Sequence, residues 1–387
     1  MPFKIAVLAQ SCRGGGGLYQ TKSLLKSIKE VSREEKLLLI CSAGYGLEQL
    51  ELPEGSDIFV YEGKHSLIQR SVFESFVLPD IVAKYKPDVI YSPVNKGLPR
   101  PCAPQALFIR NAYYFYGRKH YPDMHIALKL RIEATRFQLK RCLPRTDLIF
   151  CQTPIVKKRF SEFYNYSENK ITVLGFPPPE EIYLSINLSP PELLKEKGDN
   201  FYVLCMTCYM PHKNPGILLE LCERYGSELR SKKIKFITTV QRNDHPKAGK
   251  FLDSIYKKQL EDLIINVGWL DRNQVNSYIR HSDVMWLPTL LECLPTTLLE
   301  SMCLGTPIFS PDLDFARYVC DDAAVYYNPW DMKTIFNGLV LLRDNKQLRR
   351  ILVENGKQQL RKEDKFPADW QVVARRTLDE LHRLAGK

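Results

Sequence analysis

The stretch SDVMWLPTLLECLPTTLLESMCLGTPIFS, residues 282–310, carries the pattern that decides the fold. Its first part, residues 283–288, is a short apolar run that ends at a proline, which is typical of a buried parallel strand. Residues 296–304 are too long and too rich in leucine for a second strand there, and they predict a helix that ends at Gly305. A new strand then begins at Ile308. The stretch is therefore a strand–loop–helix–strand unit of a parallel α/β sheet.

Two carboxylates stand out in this unit, Glu292 in the loop and Glu300 inside the helix. The first turn of a helix has free N–H groups that favour a phosphate or diphosphate, and the hydroxyls of Thr296 and Thr297 add donors. Glu300 can bind a vicinal diol such as a ribose, and Glu292 can accept hydrogen bonds from sugar hydroxyls. The alternative is a surface glutamate and a helix-face glutamate, since two such residues also occur at this spacing by chance.

The whole stretch resembles the donor-site segment of retaining family-4 glycosyltransferases, which have the GT-B fold. The residues that match the family pattern are Ser282, Asp283, Pro288, Glu292, Glu300, Gly305 and Pro307. Thr289 and Ser301 replace the usual Ser and Ala. The glycine-rich turn of the family is replaced by residues 293–296, and Pro295 has no N–H with which to bind phosphate. The resemblance therefore shifts the expected phosphate contacts to Thr296 and Thr297.

The resemblance implies an α/β chain of GT-B fold, with two Rossmann-like parallel-sheet domains that face each other across a cleft. The expected domains are residues 1–178, which bind the acceptor, and residues 179–366, which bind the nucleotide-sugar donor. A C-terminal helix, residues 367–387, is expected to cross back to the first domain. The chain itself supports the boundary, because three prolines in GFPPPEE, residues 175–181, follow a strand and cannot continue a sheet.

A lysine expected to contact the diphosphate follows the first strand of the second domain. Lys213 ends a loop just before a helix, where it can reach a phosphate as a point charge. The surrounding CMTCYMPHKNPGILLEL resembles a second family segment, in which a lysine matches Lys213. The family arginine five positions earlier is Cys208 here. Arg242, in the loop after the next strand, or Arg110 could supply the missing cation; an ordinary surface lysine is the alternative for Lys213.

The first half of the chain offers two further donor contacts. A run of four glycines follows the first strand and precedes a helix predicted for residues 18–30, and such a loop lets backbone approach a phosphate. The resemblance places Gly15 and Gly16 against the donor phosphates. Arg110 and Asn111 follow a strand end, where open α/β sheets bind ligands. A flexible loop and a packing loop are the corresponding alternatives.

The base of the nucleotide is expected in a loop of the second half. This expectation comes from the resemblance, because the family binds the base with backbone groups after the equivalent strand. The residues of this loop are Gly268, Trp269 and Leu270.

Composition restricts the class of protein and of partner. The 387 residues suit two domains, and Lys plus Arg exceed Asp plus Glu by 55 − 44 = 11. This excess favours an anionic partner, although a nucleotide, a lipid phosphate and a nucleic acid would all satisfy it. No nucleic-acid signature is visible. The odd number of cysteines, 11, indicates reduced cytoplasmic thiols. No apolar run is long enough to cross a bilayer, and the first residues predict a strand rather than a signal peptide.

A basic helix is predicted at residues 125–142, HIALKLRIEATRFQLKRC. Lys129, Arg136 and Lys140 share one face at helical spacing. Such a helix could lie on an anionic membrane surface, so peripheral contact with the inner face of the membrane is one expectation. A solvated charged face is the alternative.

Together these patterns predict a retaining glycosyltransferase that moves a sugar from a nucleotide-diphosphate sugar to an acceptor hydroxyl of a glycan or lipid-linked sugar. Glu292 and Lys213 are the residues expected to act in catalysis. No cofactor or metal is expected. An Asp-x-Asp motif at a strand end could bind Mg²⁺ or Mn²⁺, but the sequence with this pattern, Asp312-Leu313-Asp314, lies past the donor loop. Two other functions stay open: a GT-B nucleotide-sugar epimerase, and a non-enzymatic two-domain module that binds polyanions or lipids.

Overall fold

The computed structural model describes residues 2–32, 34–63, 67–117, 120, 124–179, 182 and 188–386. The chain divides into two compact units. Unit 1 contains residues 1–116, 125–177 and 367–387, and unit 2 contains residues 117–124 and 178–366. Glu180 and Glu181, which end the predicted linker, lie outside the described residues.

Unit 1 is built on a parallel sheet. Within the described residues this sheet has seven strands, in the order β3-β2-β1-β4-β5-β6-β7. The strands are β1 Phe3–Leu8, β2 Glu35–Ser42, β3 Asp57–Tyr61, β4 Val89–Ser92, β5 Gln105–Ile109, β6 Leu148–Cys151 and β7 Ile171–Val173. The central strands are buried throughout, as expected when helices cover both faces of a parallel sheet. The strand order reverses direction between β1 and β4.

The helices of unit 1 connect these strands and close the unit. They are α1 Gly15–Val31, α2 Leu67–Val72, α3 Leu78–Tyr85, α4 Ile126–Cys142, α5 Pro154–Tyr164 and, at the end of the chain, Trp370–Leu384. The last of these packs against α1. Its N-terminus is capped by Asp369, whose carboxylate accepts from the N–H of Val372 at 2.8 Å.

Unit 2 repeats the architecture on a second parallel sheet. Its described strands number six, in the order β10-β9-β8-β11-β12-β13. They are β8 Phe201–Cys205, β9 Ile234–Thr238, β10 Ile264–Asn266, β11 Val284–Trp286, β12 Ile308–Pro311 and β13 Ala324–Tyr327. The order reverses between β8 and β11. Trp286 lies at the centre of this sheet, fully buried, and its Nε1 donates to the hydroxyl of Tyr327 at 2.9 Å.

The helices of unit 2 follow the strands in alternation. They are α6 Glu192–Lys195, α7 Ile217–Ser231, α8 Ala248–Lys257, α9 Arg272–His281, α10 Thr296–Leu304, α11 Asp314–Cys320, α12 Met332–Asp344 and α13 Lys346–Leu360; the final helix of the chain, Trp370–Leu384 in unit 1, is α14. None of the helices that the structure describes is long and apolar enough to span a membrane.

The predicted α/β class with two Rossmann-like parallel sheets is confirmed. Two local predictions were wrong. The helix predicted from residue 18 already begins at Gly15, because the start of a helix tolerates the low helix propensity of glycine. The sequence of residues 72–85 predicts a helix that is broken or kinked at Pro79. The irregularity lies earlier, in a π turn at Phe73–Val77, and Pro79 is accommodated in the first turn of α3, where its missing N–H costs nothing.

Gly305 ends α10 in the left-handed region, with φ of 73°. We expect Gly305→Ala to lower the free energy of unfolding by about 1 kcal/mol, because a Cβ is strained at this φ. Urea unfolding followed by circular dichroism measures the change. Gly216→Ala is the matched control, since Gly216 has φ of −59° and open space around the added Cβ. Equal stability of the two variants would contradict the assignment of strain to Gly305.

Candidate functional site

The centre of the candidate site is an ion pair between Lys213 and Glu292. Lys213 ends the 3₁₀ turn Pro211–Lys213 after β8, and Glu292 lies in the loop after β11. The ammonium Nζ donates to the carboxylate Oε1 at 2.5 Å, and both side chains are partly exposed. The structure therefore brings together two predicted site residues that are 79 positions apart in the chain.

Sheet topology explains why these two loops meet. β8 and β11 are neighbours, and the strand order of the sheet reverses between them. A ligand of an open α/β sheet binds at such a point, beyond the carboxyl ends of the strands. The loops are also joined directly, because the N–H of Leu290 donates to the carbonyl of His212 at 2.7 Å and the hydroxyl of Thr289 donates to the same oxygen at 3.1 Å.

The charge states of the pair follow from its surroundings. Burial acts to lower the pKa of Lys213, but the charge of Glu292 and the hydrogen bond to it outweigh burial and raise that pKa above its ordinary value. His212, next in the chain, behaves in the opposite way: burial, and then repulsion by the Lys213 ammonium, lower its pKa to about 4. At neutral pH the site therefore holds an ammonium beside a neutral imidazole.

The start of α10 lies directly after the Glu292 loop. No side chain caps this helix, and its N-cap position is Pro295. The first-turn amides of an α-helix have no acceptor within the helix, and together they carry a partial positive charge. Thr296 and Thr297 are partly exposed, whereas residues 293–295 are buried. The helix start can therefore donate backbone hydrogen bonds, and hydroxyls, to an anion.

Glu300 is held by a residue that the sequence analysis did not single out. Its side chain is 7% exposed, and its Oε1 accepts from Nη1 of Arg272 at 2.8 Å. Arg272 is the first residue of α9, and Glu300 lies at the middle of α10. A buried carboxylate needs a charged or hydrogen-bonding partner, so the motif signalled that a partner exists but not which residue it is.

The loop predicted to bind the base precedes α9. Gly268 adopts φ of 70°, and Trp269 is 69% exposed. Leu270 packs on the apolar core beneath the loop. Asp271 then caps α9 by accepting from the N–H of Gln274 at 2.9 Å. The loop thus presents one indole ring to solvent, and an exposed aromatic face can stack on a nucleobase.

Arg242, one of the two candidates for the missing cation, is engaged elsewhere. Its guanidinium donates to Asp253 of α8 at 2.6 Å, and both side chains are largely exposed. Cys208, at the position of the family arginine, is also exposed. Among the described contacts, none joins Arg242 to Lys213 or Glu292. In unit 2, Arg272 does contact a predicted site residue, because it forms an ion pair with Glu300.

Unit 1 brings Arg110 to the glycine segment. The guanidinium donates to the hydroxyl of Thr21 at 2.9 Å and to the sulfur of Cys12 at 3.2 Å, both near the start of α1. A Cβ on Gly17 would lie 3.4 Å from Nη2 of Arg110. Gly15 and Gly16, which precede it, are exposed. The side chain of Asn111 serves a local role, since its Oδ1 accepts from the N–H of Tyr113.

Arg110 also lines a cavity inside unit 1, together with Gln20, Thr21, Tyr91 and Trp370. Tyr91 and Trp370 are buried, and neither the Tyr91 hydroxyl nor the Trp370 Nε1 has a hydrogen-bond partner among the described residues. Buried polar groups of this kind are usually satisfied by water. The lining is otherwise mainly apolar, so these two groups and the side chains of Gln20, Thr21 and Arg110 are its polar points.

Within the described residues no three His, Cys, Asp or Glu side chains are grouped so as to hold a metal ion. Asp312 of the Asp-Leu-Asp sequence is instead bound to Arg317 through two hydrogen bonds, at 2.6 and 2.9 Å.

We expect stability to fall as the pH is lowered from 6.5 to 4, in part because of His212. In this range the unfolded chain binds a proton at this imidazole while the folded chain does not, so folding loses up to about 3 kcal/mol. His212→Gln should remove that part of the slope, leaving the remaining pH dependence unchanged. Urea unfolding of both proteins at pH 4, 5, 6 and 7 measures the difference. Parallel stability curves would contradict a depressed pKa at His212.

Comparisons with known proteins point to glycosyltransferases. Among curated proteins, the chain is 24% identical over 215 residues to the O-antigen chain mannosyltransferase RfbU of Salmonella typhimurium strain LT2. The match covers 56% of this chain and 55% of RfbU, so it spans about half the length of that relative.

Solved structures match over nearly the full length. WaaG, a glycosyltransferase involved in lipopolysaccharide biosynthesis, superposes with a TM-score of 0.71 at 13% identity, covering 98% of this chain and 99% of that one. Anabaena Alr3699/HepE in complex with UDP-glucose gives a TM-score of 0.70 at 14% identity, with 98% and 99% covered. At these identities the likeness shows the fold alone, which is GT-B. Residues 191–359, all within unit 2, match the sequence profile of the family described as "Glycosyl transferases group 1".

Proposed function

We propose that this chain is a retaining glycosyltransferase that moves a sugar from a nucleoside-diphosphate sugar to an acceptor hydroxyl. The observation that carries the proposal is the Lys213–Glu292 pair beside the uncapped start of α10. A cation and a row of free amides suit a diphosphate, and a carboxylate next to them suits sugar hydroxyls. The matched group 1 domain and the mannosyltransferase relative support the same reaction class. Retention is supported by the motif resemblance of residues 282–310.

The ion pair has two roles in this mechanism. Before the donor binds, Glu292 holds the ammonium of Lys213 at the carboxyl end of β8. When the diphosphate arrives, its oxygens compete for the ammonium, and Glu292 becomes available to accept hydrogen bonds from the sugar. Negative charge develops on the diphosphate as the glycosidic bond breaks. Lys213 and the amides and hydroxyls of Thr296 and Thr297 stabilise that charge with groups already in place.

The nucleoside is bound further along the same edge of unit 2. The exposed ring of Trp269 stacks on the base, and the backbone of residues 268–270 provides hydrogen bonds to it. Glu300 binds the ribose diol while Arg272, which donates to its Oε1, holds the carboxylate in place. In unit 1, the amides of Gly15 and Gly16 are a separate set of donors for a phosphate, and Arg110 lies close to the next glycine, Gly17.

We propose that the reaction needs no metal or cofactor and takes place in the cytoplasm, with a glycan or lipid-linked sugar as acceptor. An ammonium and a helix start supply the positive charge that a divalent cation provides in other transferases. None of the eleven cysteines, all of which are among the described residues, forms a disulfide, and this favours a reducing compartment. The relative RfbU, an O-antigen chain mannosyltransferase, supports a glycan acceptor.

Lys213→Met should lower turnover by about 10²- to 10³-fold, since it removes a fixed donor to the leaving diphosphate. It should also lower stability by about 1–2 kcal/mol, because it leaves the Glu292 carboxylate unpaired. The double variant Lys213→Met/Glu292→Gln restores stability but not activity. Turnover is measured as nucleotide release with whichever of a panel of UDP-, GDP- and ADP-sugars the wild type hydrolyses.

Lys197→Met is the matched control for this experiment. Lys197 pairs with Asp283 at 3.0 Å in the same unit and has no predicted role in the site. The Lys197→Met variant should lose about as much stability as Lys213→Met and keep its turnover. Wild-type turnover in Lys213→Met, or an equal loss in Lys197→Met, would show that the Lys213 ammonium does not act on the diphosphate.

Treatment with EDTA should leave transferase activity unchanged, since the charges that stabilise the leaving group belong to the protein. The assay compares initial rates before chelation, after chelation, and after addition of Mg²⁺ or Mn²⁺. Activity that disappears with EDTA and returns with either ion would contradict the metal-free mechanism.

A further inference from the structure

Unit 1 contains a second charged cluster, formed by residues that the sequence analysis did not single out. Glu74, in the π turn, accepts from Nε of Arg70 at 3.0 Å and from Nζ of Lys96 at 2.5 Å. Its Oε1 also accepts from Nε2 of Gln10 and from the hydroxyl of Ser11, each at 3.3 Å. The three charged side chains are only 16–18% exposed. The cluster therefore holds two cations and one carboxylate in largely buried surroundings.

Sheet topology places this cluster where a ligand is expected. Gln10 and Ser11 follow β1, and Lys96 follows β4. β1 and β4 are neighbours, and the strand order of their sheet reverses between them. Open α/β sheets bind ligands at such a point, beyond the carboxyl ends of the strands. The cluster therefore has the same place in unit 1 that Lys213 and Glu292 have in unit 2.

An irregular backbone segment brings Glu74 to this place. Glu74 lies in the π turn Phe73–Val77, which separates α2 from α3. Turns of this kind are rare and occur frequently at functional sites. Arg70, just before the turn, donates from Nη2 to the hydroxyl of Ser11. This hydrogen bond joins the segment to the loop after β1.

The cluster has donors and one acceptor that the described residues do not satisfy. An ammonium has three N–H groups, and within the described part of the chain Lys96 uses one of them, on Glu74. A guanidinium has five, and there Arg70 uses two, on Glu74 and Ser11. Gln10 is 3% exposed, and its Oε1 has no hydrogen-bond partner among the described residues. Because buried polar groups are normally hydrogen-bonded, these atoms indicate a ligand or water at this point.

The charges of the cluster favour an anionic ligand. Burial acts to raise the pKa of Glu74, but the charges of Lys96 and Arg70 outweigh burial and hold that pKa below its ordinary value. For Lys96 the balance is the reverse, because burial lowers its pKa and the charge of Glu74 offsets only part of this effect. One carboxylate therefore does not compensate two partly buried cations, and an anion that contacts both would do so.

We propose that this cluster binds a phosphate group of the acceptor. The inference rests on the proposed transferase function and specifies its acceptor as a hydroxyl compound that carries a phosphate. The guanidinium of Arg70 and the ammonium of Lys96 suit phosphate oxygens, and Ser11 adds a hydroxyl. The Oε1 of Gln10 can accept from a hydroxyl of the same molecule. An uncharged sugar would leave the excess positive charge of the cluster uncompensated.

Calorimetric titration with inorganic phosphate tests this site. The parent protein is the full chain with Lys213→Met, so that phosphate bound by the donor-site ammonium does not mask binding in unit 1. In this parent, Lys96→Met and Arg70→Met should each weaken phosphate binding by about tenfold or more, since each removes a charge-assisted hydrogen bond. Glu74→Gln should strengthen binding by about threefold or more, because both cations remain and the competing carboxylate is gone.

The opposite signs of these effects separate an anion site from a structural ion pair, for which all three variants would weaken binding or leave it unchanged. Circular dichroism shows whether each variant is folded. If Lys96→Met does not fold, Lys96→Met/Glu74→Gln replaces it, since this double variant leaves no carboxylate without the lysine. It should bind phosphate about tenfold more weakly than Glu74→Gln alone.

Lys29→Met is the matched control, because it removes a positive charge and an ion pair, with Glu51, from the same unit. Its phosphate affinity should equal that of the Lys213→Met parent. The proposal is overturned by unchanged affinity in Lys96→Met and Arg70→Met, by an equal loss in Lys29→Met, or by a parent that binds no phosphate.

Two further probes identify the source of the phosphate. They are a hexose phosphate and a hexose joined through a diphosphate to a short isoprenoid, each compared with the unphosphorylated hexose. Tighter binding of the first assigns the site to a soluble acceptor, and tighter binding of the second assigns it to a lipid-linked acceptor. Equal binding of the phosphorylated and unphosphorylated compounds would contradict the proposal.

Hydrolysis of a nucleotide-sugar without acceptor should be retained in Lys96→Met and Arg70→Met made in the wild-type chain. Its loss in these variants would show that the cluster serves the donor instead, which also overturns the proposal. A wild type that hydrolyses no nucleotide-sugar contradicts the proposed reaction, whereas the phosphate titrations decide on this site independently.

Discussion

The contact between Lys213 and Glu292 is the interaction on which the candidate site depends. It joins the loops after β8 and β11, two strands that lie side by side at the point where the strand order of unit 2 reverses. Each loop alone would present one charge to solvent with little positional constraint. Paired, the two side chains fix each other, and the hydrogen bonds that the Thr289 hydroxyl and the Leu290 N–H donate to the carbonyl of His212 hold the loops in register. The pair thus preorganises the site without a bound ligand.

This site is electrically balanced. Lys213 is neutralised by Glu292, and Arg272 by Glu300. A diphosphate that enters cannot simply add to a pool of free cations; it has to compete with a carboxylate for the ammonium. That competition couples donor binding to the availability of Glu292 for the sugar, and it explains how one loop can serve both an anion and a neutral polyol. The uncapped start of α10 contributes positive potential, and its first turn contains no acidic residue.

Sequence patterns predicted the architecture and the elements of this site because both depend on local signals. The helix at Thr296–Leu304 and its end at Gly305 follow from leucine content, a left-handed glycine and a following proline. The partnership of Lys213 with Glu292 could not be predicted as a contact, since strand order decides it. Arg272 was missed for the same reason: nothing near it in the chain marks it as the partner of Glu300. The π turn before Pro79 also escaped prediction, because a proline in the first turn of a helix has the same sequence signal as a proline that breaks one.

The structure shows where part of the excess of 11 positive charges lies. At the sequence level it was compatible with a nucleotide, a lipid phosphate or a nucleic acid. In unit 2, however, the cations of the donor site are matched by carboxylates, so that site does not account for the excess. In unit 1, the acidic residue of α4, Glu133, is paired with Arg136, which also binds backbone carbonyls. The exposed lysines and arginines of α4 therefore give this face of unit 1 a positive field of its own.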